Sequence, residues 1–389
     1  MTTTSTPHIV VLGAGYTGML AAIGLARRTG ARITLVNPSD RFTERLRLHQ
    51  QATGQELKQH SIPALLEHTG ITFRRGAATA LDPDARTVAI DDGTILTYDT
   101  LIYALGSRTG TADIPGAREH AVPLDHPDRI AARLATASTV TVCGAGLTGI
   151  ETAAEIAERH PEIAVTLISR GEPGAMMGTG ARAHLNRALD RLGVRRRAAT
   201  VTGLRSDGVR LDTGELISSD LTIQTTGVQV SPLAADSGIA VDPAGLIRTD
   251  PMLRSISHPD IHAVGDAAAI RMAWGDVHGT CQTGLPTAAY TADTVARLLR
   301  GRRVEPFRIG YFHQPVSLGR RDAVIQFTRA DDTPRRWYLT GRAAVAYKEA
   351  VTSSPPFAFR LSRRVPVMVR LTAGGRATRR PAAQEAAAR

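Results

Sequence analysis

Two glycine-rich loops, Gly13-Ala14-Gly15-Tyr16-Thr17-Gly18 and Gly144-Ala145-Gly146-Leu147-Thr148-Gly149, stand about 130 residues apart in this chain. Each follows an apolar, β-branched run, His8–Leu12 or Thr139–Cys143, and each opens an alanine-rich helical stretch. Strand, tight turn, helix is the pattern that holds a dinucleotide. The first glycine permits the turn, the second lets the backbone approach a pyrophosphate, and the third lets helix and strand pack closely. The helix N-terminus then faces the anion. Two such loops in one polypeptide predict two dinucleotides held at once, and a flavin with a nicotinamide is the pair that exchanges electrons.

The 389 residues, 42% of them apolar, suffice for two or three domains with cores. No apolar run approaches the ~18 to 20 residues that span a bilayer. The polar start, Met1–Thr6, lacks the basic and apolar regions of a signal peptide. A cytoplasmic protein, or one peripheral to the inner face of the cell membrane, is expected. With only Cys143 and Cys281, neither a disulfide framework nor a Cys-x-x-Cys redox pair is available. Cys143 ends a predicted core strand as a buried thiol; Cys281 reads either as a packed or as a reactive thiol. Charge is uneven: residues 301–389 carry 17 Arg and 1 Lys against 6 acids, a balance of +12, while residues 1–300 carry 29 basic and 30 acidic groups. Lysine occurs only at 58 and 348, so arginine bias explains the residue type but not its concentration at one end.

The first unit runs from His8 to about Arg28, with a second strand at Arg32–Val36. Short strands fill residues 71–106, and a proline- and glycine-bearing boundary follows near 109–127. The second unit repeats the plan: helix to about Arg159, strand Ala164–Ile168, helix Ala181–Leu192, short strands to Leu221. A helix is predicted at Thr287–Arg300, a strand at Ala323–Phe327 and a helix near Ala343–Val351. The segment Pro355–Leu371 interleaves apolar residues with arginines. It reads as a membrane-surface segment or as an edge strand with a tail, its prolines arguing against one long amphipathic helix. Thr372–Arg389 has no periodicity and reads as disordered.

The two loops, with Tyr103-Ala104-Leu105-Gly106-Ser107, Gln224-Thr225-Thr226-Gly227-Val228 and Ala263-Val264-Gly265-Asp266-Ala267 in that order, resemble the pyridine-nucleotide-disulfide oxidoreductase superfamily. Within it the chain is similar to the type II NADH dehydrogenase and apoptosis-inducing-factor-like branch, to about residue 350. The resemblance implies an α/β fold of two Rossmann-like domains plus a smaller C-terminal domain. FAD would take the first loop and NAD(P)H the second, with no metal. The FAD domain would be discontinuous, 1–110 and 245–310, with the NAD(P)H domain at 111–244 inserted. Residues 311–371 would form a C-terminal interface or membrane-association domain. Asp266 is expected to contact the FAD ribityl chain, with Arg45, Ala78, Ala104, Gly106, Gly265 and Leu285 also at FAD and Gly227 at the nicotinamide nucleotide.

Asn37 stands where relatives carry a carboxylate for the ribose hydroxyls; its amide oxygen accepts hydrogen bonds without charge. At the equivalent second position are Ser169 and Arg170, which suit a 2′-phosphate and lean toward NADPH; an exposed arginine without a ligand is the bland alternative. The resemblance places Glu151 at the hydride-transfer site, against a simple acid at a helix N-terminus. His49, in the stretch Glu44–Gly54 that in relatives passes the isoalloxazine, is a candidate proton donor. Gln282 loosely matches a quinone-lining phrase ahead of a helix whose first amides would face the flavin.

These residues lead to an FAD-dependent NAD(P)H oxidoreductase passing electrons to a quinone-like acceptor. Three alternatives stay open: a ferredoxin-reductase-like electron-transfer flavoprotein, an apoptosis-inducing-factor-like nicotinamide sensor, and a biosynthetic tailoring flavoenzyme. The basic end fits an anionic membrane surface or an acidic redox protein; nucleic acid is not the expected partner.

Overall fold

The computed structural model describes residues 6–110 and 114–365. Two five-stranded parallel sheets form its frame. The first contains β1 (His8–Leu12), β2 (Arg32–Asn37), β3 (Thr72–Arg75) and β4 (Thr100–Tyr103). The second contains β5 (Ala121–Pro123), β6 (Thr139–Cys143), β7 (Ala164–Ser169), β8 (Arg195–Ala198) and β9 (Leu221–Gln224). The fifth strand of the first sheet, β10 (Ile261–Ala263), arrives only after the second is complete, giving the order β10-β4-β1-β2-β3. The second sheet has the order β5-β9-β6-β7-β8.

Every residue of β1 is buried, as a parallel strand covered on both faces requires. Ile9, Val11, Ile33 and Leu35 face α1 (Tyr16–Arg28), while Val10, Leu12 and Val36 face the opposite core. In the second sheet α3 (Leu147–Arg159) is buried nearly all round, because β6 and β7 cover one side and the C-terminal sheet another. A short helix, α2 (Leu48–Ala52), reaches across from the first unit to α3. The two crossover segments pair as antiparallel strands, Ser107–Thr109 against Val228–Val230, so the connections brace each other where the chain leaves and re-enters the first unit.

Helix α4 (Thr179–Arg191) belongs to the second unit, and α5 (Cys281–Leu298) packs on α1, with Gly24 taking the close contact against the Ala292 methyl. Helix α5 starts six residues before the predicted Thr287. Thr280 and Thr283 form a reciprocal capping box there, and Pro286 is absorbed within the helix. The C-terminal layer is an antiparallel sheet, β11 (His313–Ser317), β12 (Ala323–Thr328) and β13 (Pro334–Thr340), followed by α6 (Gly341–Ser362).

Helix α6 corrects both sequence expectations for this end: neither a helix stopping near Val351 nor an edge strand follows, but one helix running through Pro355 and Pro356. Pro355 has no N–H for the Val351 carbonyl, and the Ser354 hydroxyl donates to that carbonyl at 2.8 Å instead. Phe359, fully buried edge-on against Phe42, holds the helix beyond the prolines. Residues 366–389, including the tail read as disordered, lie outside the described residues.

Candidate active site

The glycines of each loop divide into the roles their spacing implies. Gly13 and Gly144 have φ of +95° and +111°, a region that favours glycine. A methyl on Gly18 would stand 1.8 Å from the Gly13 carbonyl oxygen, and one on Gly149 would stand 1.7 Å from that of Gly144. On Gly15 or Gly146 a methyl meets nothing within 4 Å. Open space therefore lies directly before the N-termini of α1 and α3, where helix dipoles and free amides favour an anion. Both loops fit a pyrophosphate.

Ala14, Tyr16 and Thr17 surround the first opening. Asn37 Oδ1 accepts the Ala14 amide at 2.9 Å and Nδ2 donates to the Ser39 carbonyl, so this side chain first fixes the loop and keeps one lone pair for a ribose hydroxyl. Ala104 closes in on Gly13, and Gly106, at φ +63°, has open space beside it. Gly265, at φ +65°, lies against the Thr17 side chain. Asp266 accepts from the Ser107 hydroxyl at 2.7 Å through Oδ2. Arg45 instead pairs with Asp125 of the second unit at 2.7 Å, and Ala78 begins an antiparallel strand, Ala78–Asp82. Leu285, on α5, packs into the core under α1.

Around the second opening, Leu147 and Thr148 start α3, and Gly227, at φ +79°, gives its carbonyl to the Gly110 amide. The Ser169 hydroxyl donates to the Gly171 carbonyl, leaving Arg170 exposed and outside any ion pair among the described residues.

Glu151 and His49 are brought together, along with Lys348, which sequence reasoning did not single out. The Glu151 carboxylate turns away from its own helix into a three-way seam between α2, α3 and the C-terminal layer. Lys348 Nζ lies 2.8 Å from Oε1; the Ser317 amide and hydroxyl donate to the same oxygen at 2.9 and 3.2 Å; His49 Nδ1 is 3.9 Å from Oε2. Burial alone pushes this carboxyl up, but the Lys348 ammonium and the Ser317 amide outweigh it and hold it below the usual range. Burial lowers His49 to about 4, so the imidazole is neutral, and its Nε2 is buried with no partner. An orphaned buried ring nitrogen beside an ionised carboxylate marks a place where a reacting group fits. A signal for Lys348 did exist: it is one of two lysines among 47 basic residues, at a position where a compact point charge serves better than a planar fork.

Gln282 is not part of that group. Its Nε2 donates to the His313 carbonyl at 3.3 Å and its Oε1 accepts the Phe312 amide at 3.2 Å, which ties the first turn of α5 to β11. His313, lowered to about 4 by burial, bonds the Tyr347 hydroxyl at 2.8 Å, one residue from Lys348. The helix amides expected after Thr287 belong instead to the turn beginning at Cys281, whose side chain lies outside the described residues. Burial pushes the Cys143 thiol up to about 12, which makes it inert.

Comparison with known proteins covers most of the chain. The profile of the family described as pyridine nucleotide-disulphide oxidoreductase matches residues 7–293. An NADH dehydrogenase-like protein of Mycobacterium tuberculosis is 30% identical over 349 residues, covering 82% of this chain and 87% of the relative. The demethylphylloquinone reductase of Synechocystis is 29% identical over 352 residues, covering 83% and 87%. Among solved structures, NDH2 from Plasmodium falciparum in complex with NADH superposes with a TM-score of 0.78 at 16% identity, over 92% of this chain and 97% of that one.

Proposed function

The chain belongs to the pyridine nucleotide-disulphide oxidoreductase family, and on that footing we propose that it is an FAD-dependent NAD(P)H:quinone oxidoreductase. The observation that carries the reading is the Glu151–Lys348–His49 group, buried at the start of α3 beside the second dinucleotide loop. Relatives named as an NADH dehydrogenase-like protein and a quinone reductase support the choice of acceptor. FAD, when bound, accepts hydride from the nicotinamide and gives up two electrons; everything else is geometry and electrostatics supplied by the chain.

The Gly13–Gly18 loop and the α1 N-terminus would hold the FAD pyrophosphate, with Asn37 able to accept from a ribose hydroxyl and Asp266 from the ribityl chain. The Gly144–Gly149 loop holds the nicotinamide dinucleotide. Positive potential from the first turn of α5 favours negative charge in front of it. Glu151, kept ionised by Lys348 and Ser317, orients the nicotinamide carboxamide side. His49, neutral and with Nε2 unengaged, is the group able to hand a proton to a reduced acceptor.

Three finer points belong to the same proposal. NADPH is preferred, because Ser169, Arg170 and Gly171 place no carboxylate against a 2′-phosphate and leave a guanidinium available. The protein works at an anionic membrane surface: no helix among the described residues is long and apolar enough to cross a membrane, but Phe357, Leu361 and Val365 are exposed at spacings of four residues, interleaved with exposed Arg360 and Arg364. Such a stripe inserts shallowly while the arginines meet anionic headgroups. The catalytic unit takes FAD from residues 1–110 and 245–310 and the nicotinamide nucleotide from 111–244. The test is anaerobic reduction with NADPH or NADH, followed by stopped-flow mixing with menadione, a ferredoxin or oxygen. Fast reoxidation by menadione is expected. Reoxidation by the ferredoxin alone would replace the quinone reading with an electron-transfer one.

A further inference from the structure

A cavity of about 400 Å³ lies at the N-terminal edge of the first sheet, between the starts of β1 and β4, the turn before β10 and the last turn of α5. These three strands are parallel, so their C-terminal ends face the FAD loop and their N-terminal ends face the cavity. Its wall at Pro7 and the loop at Gly13 bracket β1, about 20 Å apart along the strand. No lining residue belongs to either dinucleotide loop, and the size suits a small organic molecule. His262 forms part of the wall. Strand register sets it beside Ile102, on the face of the sheet that α5 covers. The imidazole is 2% exposed, and burial lowers it to about 4, so it is neutral. Its one N–H serves the Met252 carbonyl, while Nδ1 is buried without a partner. Nδ1 is therefore a bare acceptor.

The charges around the cavity do not cancel. Arg254 donates from Nε and Nη2 to Asp250 at 2.8 and 2.7 Å, and Asp260 pairs with Arg86 at 2.5 Å. Asp99 accepts the His8 amide at 2.7 Å through Oδ2 and joins no ion pair among the described residues. The surplus is one negative charge and one bare acceptor. Beside them is an apolar wall of Val295, with Leu298 and Leu299 40% and 45% exposed at the mouth. An anion is repelled by Asp99, an alcohol serves the imidazole but not the charge, and a hydrocarbon leaves both unserved. An ammonium carries three donors and no lone pair, the complement of a carboxylate with a bare ring nitrogen. We propose that this cavity binds a primary ammonium on a compact apolar body, its donors available to Asp99 and His262 Nδ1 and its body against Val295, Leu298 and Leu299. Such a ligand leaves both dinucleotide loops open, so it is not the molecule that exchanges electrons with a flavin.

The test uses FAD-loaded full-length protein titrated calorimetrically with phenethylammonium, 2-phenylethanol and phenylacetate, which share a body and differ in the head. The expected order of affinity is ammonium, alcohol, acid. Because Asp99 stands at the exposed rim, its preference for the ammonium over the alcohol is set at roughly three- to tenfold. Asp99→Asn keeps an acceptor for the His8 amide and should bring the ammonium down to the affinity of the alcohol, whose own binding stays unchanged. Leu298→Trp adds bulk at the exposed mouth and should weaken all three ligands while FAD content stays normal. NADPH should not displace phenethylammonium. Equal affinity for the three heads, no saturable binding of phenethylammonium in the millimolar range, or an Asp99→Asn variant that binds it as the wild type does, overturns the proposal. Displacement by NADPH overturns it too, because the ligand then sits in a nucleotide site.

Discussion

Replacing Lys348 by methionine keeps the bulk of the side chain and removes the charge that faces Glu151. Both groups are deeply buried, Glu151 7% and Lys348 9% exposed, so the magnitude comes from the buried scale and not from the ~0 to 1 kcal/mol of surface pairs. Stranding a buried carboxylate costs about 3–5 kcal/mol. The Ser317 amide and hydroxyl still donate to Oε1, and hydrogen bonds to a charge contribute about 1.5–3 kcal/mol, which places the net loss near the lower end, about 3 kcal/mol.

The sign with pH follows from the carboxyl. In the wild type its folded pKa lies below the unfolded value, so it adds stability above the usual carboxylate range and loses it as pH falls through the folded value. Without Lys348, burial raises the folded pKa, and the group becomes a penalty that is full above that raised value and absent in acid. Urea midpoints measured between pH 5 and 9 should show a deficit for Lys348→Met that grows with pH. The double variant Glu151→Gln with Lys348→Met should recover most of it, because no charge is then stranded. A deficit independent of pH, or a double variant no more stable than the single one, would refute the account of the seam.

Gly15→Val should fold, since a Cβ at this position meets no protein atom within 4 Å, yet purify without yellow colour because it fills the pyrophosphate space; normal FAD content would remove FAD from that loop. Arg170→Ala should erase most of an NADPH preference, a phosphate contact of about 1.5–3 kcal/mol corresponding to roughly ten- to a hundredfold in the ratio of kcat/KM values; an unaltered ratio makes the arginine a bystander. Cosedimentation with anionic but not neutral vesicles at low salt should be lost in Phe357→Glu with Leu361→Glu, and weaken as salt shortens the Debye length from ~10 Å at 0.1 M; equal binding by the double variant refutes the stripe. Point changes serve better here than truncation after Thr352, which would strip the fully buried Phe359 from its contact with Phe42.

The two dinucleotide loops were legible because everything that makes them is local. A positive φ at Gly13 and the contact between Gly18 and the Gly13 carbonyl are decided within six residues, and the residue types report them directly. Helix ends were less legible. The start of α5 at Cys281 depends on a Thr280–Thr283 capping box that the nearby Pro286 obscured. The continuation of α6 past Pro355 depends on a hydroxyl replacing the missing donor and on Phe359 packing against a residue over 300 positions earlier.

By itself, then, the sequence determined the α/β architecture, the strand–turn–helix openings and the residue types from which a site is built, because short-range sterics and hydrophobic periodicity act within a few residues. Only the tertiary structure decided what those residues become chemically. Glu151, His49 and Lys348 come from segments about 100 and 200 residues apart. Their protonation states follow from desolvation weighed against the few charges and dipoles that folding places within reach, and that balance exists only once the three segments close on one another.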